Sequence, residues 1–308
     1  MTHHKPIVLI TGATAGIGRH VALDLARRGM HVIATGRKVE ALESLAQEAK
    51  GLTLDTVRLD VTSAKSIADA QTEVHRITEG YGVDVLVNNA GYGMAAPLIE
   101  TSEQDLRDQY ETNVFGLMAV TRAFVPEMMA RGSGRLINVS SVGGRITLPF
   151  FGAYNSTKYA VESMSDALRV ELAPFGIQTA LIEPGPIRSQ FSERTMTFVD
   201  KYQDDSSPYA AVYRRSHEIR KRSDEQAAGP ECVARAIAHA IEARRARPRY
   251  VVPFALRVGV FFSKFTPTRW IDALLGWIVG IGQAGPVAAL PPSQKRPARA
   301  RDIQSARA

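Results

Sequence analysis

Seven short apolar runs, separated by stretches of helical spacing, limit what this chain can fold into more than any other feature. The first, Ile7-Val8-Leu9-Ile10, leads into glycines and then Ile17, Val21 and Leu25 at helical intervals, which reads as strand, turn and helix. Runs over 31–35, 53–59, 83–87, 134–139, 177–182 and 249–253 follow, with helices expected near 39–49, 63–79, 102–131, 154–172 and 230–245. The runs are continuously apolar, as in strands buried on both faces, and the helices between them supply the cover. The expected fold class is α/β, a doubly wound parallel sheet of about seven strands flanked by helices, with an apolar C-terminal extension. Ligands of such sheets lie beyond the carboxyl ends of the strands. The chain places Gly12, Gly16, Gly18, Asn88-Asn89-Ala90-Gly91, Ser140-Ser141 and Pro184-Gly185 at those ends.

At 308 residues and 45% hydrophobic, the chain can bury one large core, a domain of about 250 residues with an appendage. Its one cysteine, Cys232, excludes an intrachain disulfide and fits a reducing, cytoplasmic compartment. No apolar segment of secretory type precedes the first strand. Net charge is +7, but Lys295, Arg296, Arg299, Arg301 and Arg307 against Asp302 make up +4 of it. The remaining body is mildly basic, so no nucleic-acid partner is expected, while an anionic cofactor would suit it. No metal site is expected.

Residues 254–282 are apolar and aromatic, with Phe261, Phe262, Phe265, Trp270 and Trp277, but Arg257, Lys264, Arg269 and Asp272 interrupt them. They fall short of the ~20 apolar residues of a spanning helix. Packing on the body, on a partner subunit or peripherally on a membrane interface all remain open. Residues 283–308, basic and rich in proline, are expected to be disordered.

Tyr154 and Lys158 stand four apart in a stretch of helical pattern, so phenol and ammonium share one helix face. A phenol titrates near ~10 and is a poor proton donor or acceptor at neutral pH; a nearby cation favours phenolate and makes it a usable general acid/base. Gly12, Gly16 and Gly18, within Thr11-Gly12-Ala13-Thr14-Ala15-Gly16-Ile17-Gly18, let backbone approach a pyrophosphate at a helix N-terminus. Their spacing is GxxxGxG instead of the GxGxxG dinucleotide fingerprint. After the second strand come Gly36-Arg37-Lys38, with no acid before Glu40. A carboxylate there would serve a ribose 2′-hydroxyl; Arg37 suits a 2′-phosphate. NADP(H) is the expected cofactor, with NAD(H) possible.

The stretch 11–18, Asp60-Val61, Asn88-Asn89-Ala90-Gly91, Asn113, Ser141, Tyr154-Asn155-Ser156-Thr157-Lys158 and Pro184-Gly185 occur in one order along the chain. In this the chain resembles the short-chain dehydrogenase/reductase family, of the one-domain type, over about residues 5–253. The resemblance implies a Rossmann-like catalytic domain with a substrate flap over 186–229. It implies Tyr154 as proton donor/acceptor, Lys158 on the nicotinamide ribose, and Ser141, thirteen before the tyrosine, on the substrate oxygen. Asn113 would position a water linking Lys158 to solvent. Gly12, Thr14, Ala15, Gly16, Ile17 and Gly18 would cradle the cofactor phosphates, and Asp60 and Val61 would meet the adenine. Asn89, Ala90 and Gly91 would run along the ribose, and Pro184, Gly185, Ile187 and Ser189 would lie against the nicotinamide. Ala15 departs from the basic residue of many NADP-dependent members, leaving Arg37 to hold the phosphate.

What the resemblance implies is hydride exchange between nicotinamide C4 and a carbonyl or alcohol, as in steroid- and retinol-type members. Ile146, Leu148, Phe150 and Phe151, with Tyr92 and Met94, suit a lipophilic substrate if they line the mouth. A homodimer or homotetramer is expected. Two alternatives stand beside this reading: a non-catalytic NADP(H)-sensing module, and an NAD⁺-dependent alcohol dehydrogenase.

Overall fold

All four residues of β1 (Ile7–Ile10) are buried, because alternate side chains feed two different cores. Val8 and Ile10 point into one and Ile7 and Leu9 into the other, as the two-residue repeat of a strand requires. The computed structural model describes residues 5–281. After β1 come α1 (Gly16–Arg27), β2 (His31–Gly36), α2 (Val39–Glu48), β3 (Leu54–Arg58), α3 (Ala64–Ile77) and β4 (Val85–Asn88). The second half holds α4 (Glu103–Tyr110), α5 (Leu117–Arg131), β5 (Gly134–Val139), α6 (Gly152–Glu171) and β6 (Ile177–Pro184). It closes with α7 (Phe191–Tyr202), α8 (Ala210–Gln226), α9 (Glu231–Glu242), β7 (Arg249–Val252), α10 (Leu256–Ser263) and α11 (Thr268–Val279).

The strands form one parallel sheet in the order β3-β2-β1-β4-β5-β6-β7. This is the Rossmann-like α/β architecture expected from the apolar runs. Val21 and Leu25 of α1, Leu45 of α2, and Val233 and Ile237 of α9 cover one face. Ile67 and Val74 of α3 and Val120, Phe124 and Met128 of α5 cover the other, joined by Leu117, Val161 and Leu181 between α5, α6 and β6. Strand order reverses between β1 and β4, and the crevice of a doubly wound sheet opens at that point.

Two stretches differ in detail from the pattern in the sequence. Residues 102–131 are interrupted by a π-helical turn, Glu111–Gly116, which carries Asn113. The polar stretch read as a flap contains two helices, α7 and α8, anchored by polar pins. Asp105 of α4 accepts from Lys201 Nζ at 2.5 Å and from the Tyr202 hydroxyl. Glu100 accepts from Ser207 Oγ at 2.6 Å and from the Tyr213 hydroxyl at 2.8 Å. The helical period is hard to read in α8, since among its seventeen residues only Ala210, Val212 and Tyr213 are buried.

The apolar extension forms α10 and α11. No residue of α11 is buried, and Phe254, Phe261, Phe262, Phe265, Trp270 and Trp277 are exposed. Among the described residues no helix is long and apolar enough to cross a membrane. The expected disorder of 283–308 concerns residues outside the described ones.

Candidate active site

The turn after β1 is assembled by backbone and glycine. Gly12 and Gly16 have positive φ, +66° and +52°. A Cβ on Gly18 would lie 2.3 Å from the Gly12 carbonyl oxygen and 2.4 Å from Asn89 Nδ2. That crowding is specific, because Asn89 Nδ2 donates to the carbonyls of Thr11 (2.9 Å) and Gly12 (3.1 Å). Thr11 Oγ1 in turn accepts from the Asn89 and Ala90 amides at 3.0 and 2.9 Å. The Asn-Asn-Ala-Gly segment after β4 is thereby locked to the glycine turn. Ala15 leaves the start of α1 without a side-chain cap, so the first amides and the positive end of the helix dipole are available to an anion. Thr14 abuts Gly36, where a Cβ would lie 2.4 Å from Thr14 Cγ2, so the end of β2 closes onto this turn. Arg37 follows, exposed, and makes no hydrogen bond or ion pair among the described residues. These features fit a nicotinamide dinucleotide. Asp60 holds Thr62 through Oδ1, and Val61 packs on Gly116 of the π turn.

The second cluster lies at the ends of β5 and β6. Ser141 Oγ accepts from the Gly143 amide at 3.0 Å and donates to the Pro184 carbonyl at 3.3 Å, which ties the serine loop to the Pro-Gly turn. Tyr154 and Lys158 rise from the first two turns of α6, both buried, with Lys158 Nζ 5.7 Å from the Tyr154 ring centre. Lys158 Nζ donates to the Val139 carbonyl at 2.9 Å. Asn113 Nδ2 donates to the Tyr92 carbonyl (3.0 Å) and Thr157 Oγ1 (3.1 Å), and its Oδ1 accepts from the Tyr92 amide. Both ends of this amide are engaged within the protein, with one lone pair of Oδ1 still to be satisfied. Gly91 completes the group: a Cβ there would be 3.0 Å from Asn113 Oδ1 and 3.9 Å from Lys158 Nζ. Ser189, after Ile187, faces the glycine turn across the cleft, 3.4 Å from where a Cβ on Gly16 would stand. Leu256 of α10 packs directly on Gly185.

Electrostatically the site departs from the pattern expected of a Tyr–Lys pair. Burial pushes the Tyr154 phenol up to about 12, opposed by the Ser141 hydroxyl, and burial brings the Lys158 ammonium down to about 8, opposed by Glu162. The expected lowering of the phenol by the ammonium is outweighed by loss of water around both. Tyr154 is therefore a protonated acid at neutral pH.

Two rings cover that phenol. Phe191, at the start of α7, meets Tyr154 edge-on with centroids 5.4 Å apart, and Phe151 does so at 6.5 Å. Phe191 also fills the space above Gly93, where a Cβ would lie 2.3 Å from its ring. Sequence reasoning missed Phe191; an aromatic two residues beyond Ser189 was the available signal. Phe150 turns away, with φ +69°, and packs edge-on against Tyr209 and Tyr213. Tyr92 stacks on Phe198 at 5.8 Å, so Phe150 and Tyr92 serve the packing of the cover, while Met94 is wholly buried.

Comparison with known proteins places this geometry among relatives. Residues 6–199 match the family model described as short chain dehydrogenase. The Escherichia coli K12 protein named "Uncharacterized oxidoreductase YbbO" is 36% identical over 270 residues, 87% of this chain and 93% of its own length. Human 17-beta-hydroxysteroid dehydrogenase type 1 is 36% identical over 256 residues, 80% of this chain and 77% of its own. A short-chain dehydrogenase from Streptomyces avermitilis has TM-score 0.72 at 30% identity, covering 91% of this chain and 99% of its own. A serine dehydrogenase complexed with NADP⁺ has TM-score 0.69 at 28% identity, covering 80% and 94%. A Burkholderia phymatum member in complex with NAD has TM-score 0.73 at 25% identity, covering 89% and 96%.

Proposed function

This chain belongs to the short-chain dehydrogenase family, oxidoreductases acting on CH–OH groups with a nicotinamide cofactor, and from that premise we propose an NADP(H)-dependent reductase of lipophilic carbonyls. The observation that carries the chemistry is the meeting of Ser141, Tyr154 and Lys158 at the strand ends, opposite an uncapped helix N-terminus. Arg37, exposed just beyond β2 and without a hydrogen bond or ion pair among the described residues, supports the choice of phosphate-bearing cofactor. The nicotinamide supplies a hydride from C4 when bound. Ser141 holds the substrate oxygen, and Tyr154 gives that oxygen its proton, leaving an alcohol; the reverse requires the phenolate. Reduction is the direction in which the phenol starts from its protonated form, and burial keeps it in that form at neutral pH. Lys158 replaces part of the lost solvation when Tyr154 gives up its proton.

The deciding experiment is a fluorescence titration with NADPH and NADH, followed by turnover of a panel of lipophilic ketones and aldehydes. Native protein is expected to bind NADPH more tightly, and Arg37→Ala is expected to lose about tenfold for NADPH and little for NADH, the scale of one charge-assisted contact. Tyr154→Phe is expected to keep NADPH affinity and lose roughly 10²–10⁴-fold in turnover. Equal NADPH and NADH affinity in native protein would remove the cofactor preference, and undiminished turnover in Tyr154→Phe would remove the acid.

The lipophilic substrate class is supported by the aromatic rings over Tyr154, by α10, which packs on the Pro-Gly turn through Leu256, and by the exposed apolar residues of α10 and α11. Exposed Trp270 and Trp277 with Arg257, Lys264 and Arg269 also support peripheral contact of 254–282 with a membrane interface. Exposed Phe115, Tyr159 and Val170 support a homodimer or homotetramer. Flotation with anionic vesicles tests the first, and sedimentation in detergent-free buffer tests the second.

A further inference from the structure

Behind the serine loop lies a cluster of charge that the proton transfer does not use. Glu183, one residue before Pro184, has no exposed surface. Its Oε1 accepts from Arg145 Nη1 at 3.0 Å and stands 3.1 Å from Arg249 Nε, while its Oε2 is buried without a partner. Glu162 of α6 is nearly as buried; its Oε2 accepts from the same Arg249 Nε at 3.0 Å, and its Oε1 is buried without a partner. One N–H is thus divided between two carboxyl groups, each with its second oxygen meeting no hydrogen-bond donor among the described residues. Of the other N–H groups of this guanidinium, one on Nη2 is directed away from the pair, to Asp166 at 2.6 Å, which Arg169 also holds from the surface. Two full negative charges so placed repel each other in a water-poor interior.

The cluster touches every catalytic element. Arg145 belongs to the loop of Ser141, Glu183 to the strand ending in Pro184-Gly185, and Glu162 lies one helical turn beyond Lys158. Gly144 shows how tightly loop and helix fit: a Cβ there would lie 3.0 Å from Glu162 Cγ, from the Lys158 carbonyl and from Ser140 Oγ. We propose that Glu183 is a positioning residue that exchanges its proton around neutral pH, so that below it Glu183 and Glu162 carry one charge between them and above it two. This pair, braced by Arg145 and Arg249, sets the spacing of the Ser141 loop, the Pro184-Gly185 turn and α6. In agreement, burial and then Glu162 push the Glu183 carboxyl up to about 7, against the pull of Arg145 and Arg249. Glu162 in turn holds the Lys158 ammonium up against burial, so the pair also joins the catalytic lysine through Glu162.

The sign of the stability effect separates this from an ordinary ion pair. An acid whose native pKa is raised binds more protons folded than unfolded, so stability falls as pH rises from the ordinary carboxylate range through about 7 and stays reduced above it. Glu183→Gln keeps an acceptor for both arginines and puts a neutral amide where the acid proton would be. The test compares melting of full-length native protein and Glu183→Gln from about pH 5 to 8.5. The variant is expected to melt higher than native at alkaline pH, with the advantage vanishing toward acid pH. Glu162→Gln is expected to move the native inflection to lower pH by relieving the repulsion. A variant Glu183→Gln that melts below native at alkaline pH, or an inflection unmoved in Glu162→Gln, overturns the shared charge. The positioning role rests on the nicotinamide site proposed above, and NADPH fluorescence titration over the same range reads it. Native affinity is expected to fall about threefold or more as pH rises through 7, and that of Glu183→Gln to stay level. Parallel curves overturn the role, whereas failure of native protein to bind NADPH at all overturns the cofactor reading and leaves the melting result to judge the pair.

Discussion

Around Gly12 and Gly18 the cleft wall is made of backbone in contact with backbone and with one asparagine, and an added carbon would stand 2.3–2.9 Å from its neighbours. Over Tyr154 the opposite wall is made of rings, Phe191 and Phe151, at 5.4 and 6.5 Å between centroids. The first wall tolerates no change in shape, since a shift of one atom must move a strand end. The second can repack more readily, because its helix, α7, is held by a few side-chain ties, Asp105 at its far end and Ser192 to Asp224 near its start, and by a small apolar cluster around Met196, Val199 and Tyr213. Rigid holding of a cofactor and adaptable cover of a substrate demand these two kinds of construction.

The comparison breaks most visibly at Gly18. Gly18→Val drives a side chain into the Gly12 carbonyl and the Asn89 amide, and is expected to cost roughly 1–3 kcal/mol of stability. NADPH affinity should fall at least about tenfold, because the displaced turn is the proposed pyrophosphate cradle. Gly259→Ala, in α10 where an added Cβ meets nothing within 4 Å, is expected to stabilise by roughly 0.5–1 kcal/mol. Urea unfolding with NADPH titration measures both, and a Gly18→Val protein with native affinity would mean that the turn is as adaptable as the cover.

The same contrast explains what the sequence made legible. The glycines were readable because close backbone approach demands them, the Tyr154–Lys158 pair because of its helical spacing, and the sheet because two-sided burial makes most of its strands apolar. Ser141, Asp60 and Asn89 were readable only through the resemblance. Phe191 was not readable, since nothing in its local spacing says that it will lie against a ring 37 positions earlier. The direction of the Tyr154 shift was also hidden: a helical i,i+4 pair suggests mutual attraction, while burial, set by distant segments, decides the outcome. Glu183 looked like a strand-end residue because its partners, Arg145 and Arg249, come from two other elements.

Phe191→Ala sharpens the comparison with an intermediate effect. Removing the ring admits water to Tyr154, so its pKa should fall from about 12 toward the ordinary phenol value near ~10. Reduction needs the protonated phenol and oxidation the phenolate. The alkaline decline of the reductive rate should therefore move to lower pH, and the rise of the oxidative rate should move with it. Discrimination between bulky and small carbonyls should relax by about tenfold. Rate profiles in both directions read this, and profiles that superimpose on the native ones would show that the ring over the phenol neither excludes water nor shapes the pocket.

The smallest effect is expected at the pin of the cover. Burial alone would raise the Asp105 carboxyl, but hydrogen bonds from Lys201, Tyr202 and Ser102 outweigh it and hold the group below its ordinary value. A lowered acid contributes stability above the ordinary carboxylate range and loses it as pH falls through the native pKa. Asp105→Asn should therefore cost about 1 kcal/mol at neutral pH, a modest figure because Lys201 is half exposed and screened by solvent. The difference from native should close at strongly acid pH, where the native carboxyl is itself protonated. Because Asp105 grips the end of α7 away from Phe191, NADPH affinity should stay within about twofold of native, less than a loss of one contact would give. Melting curves at neutral and acid pH, paired with NADPH titration, measure both quantities. A large loss of NADPH affinity in Asp105→Asn would mean that cover and cradle move together and that the two walls are one mechanical unit.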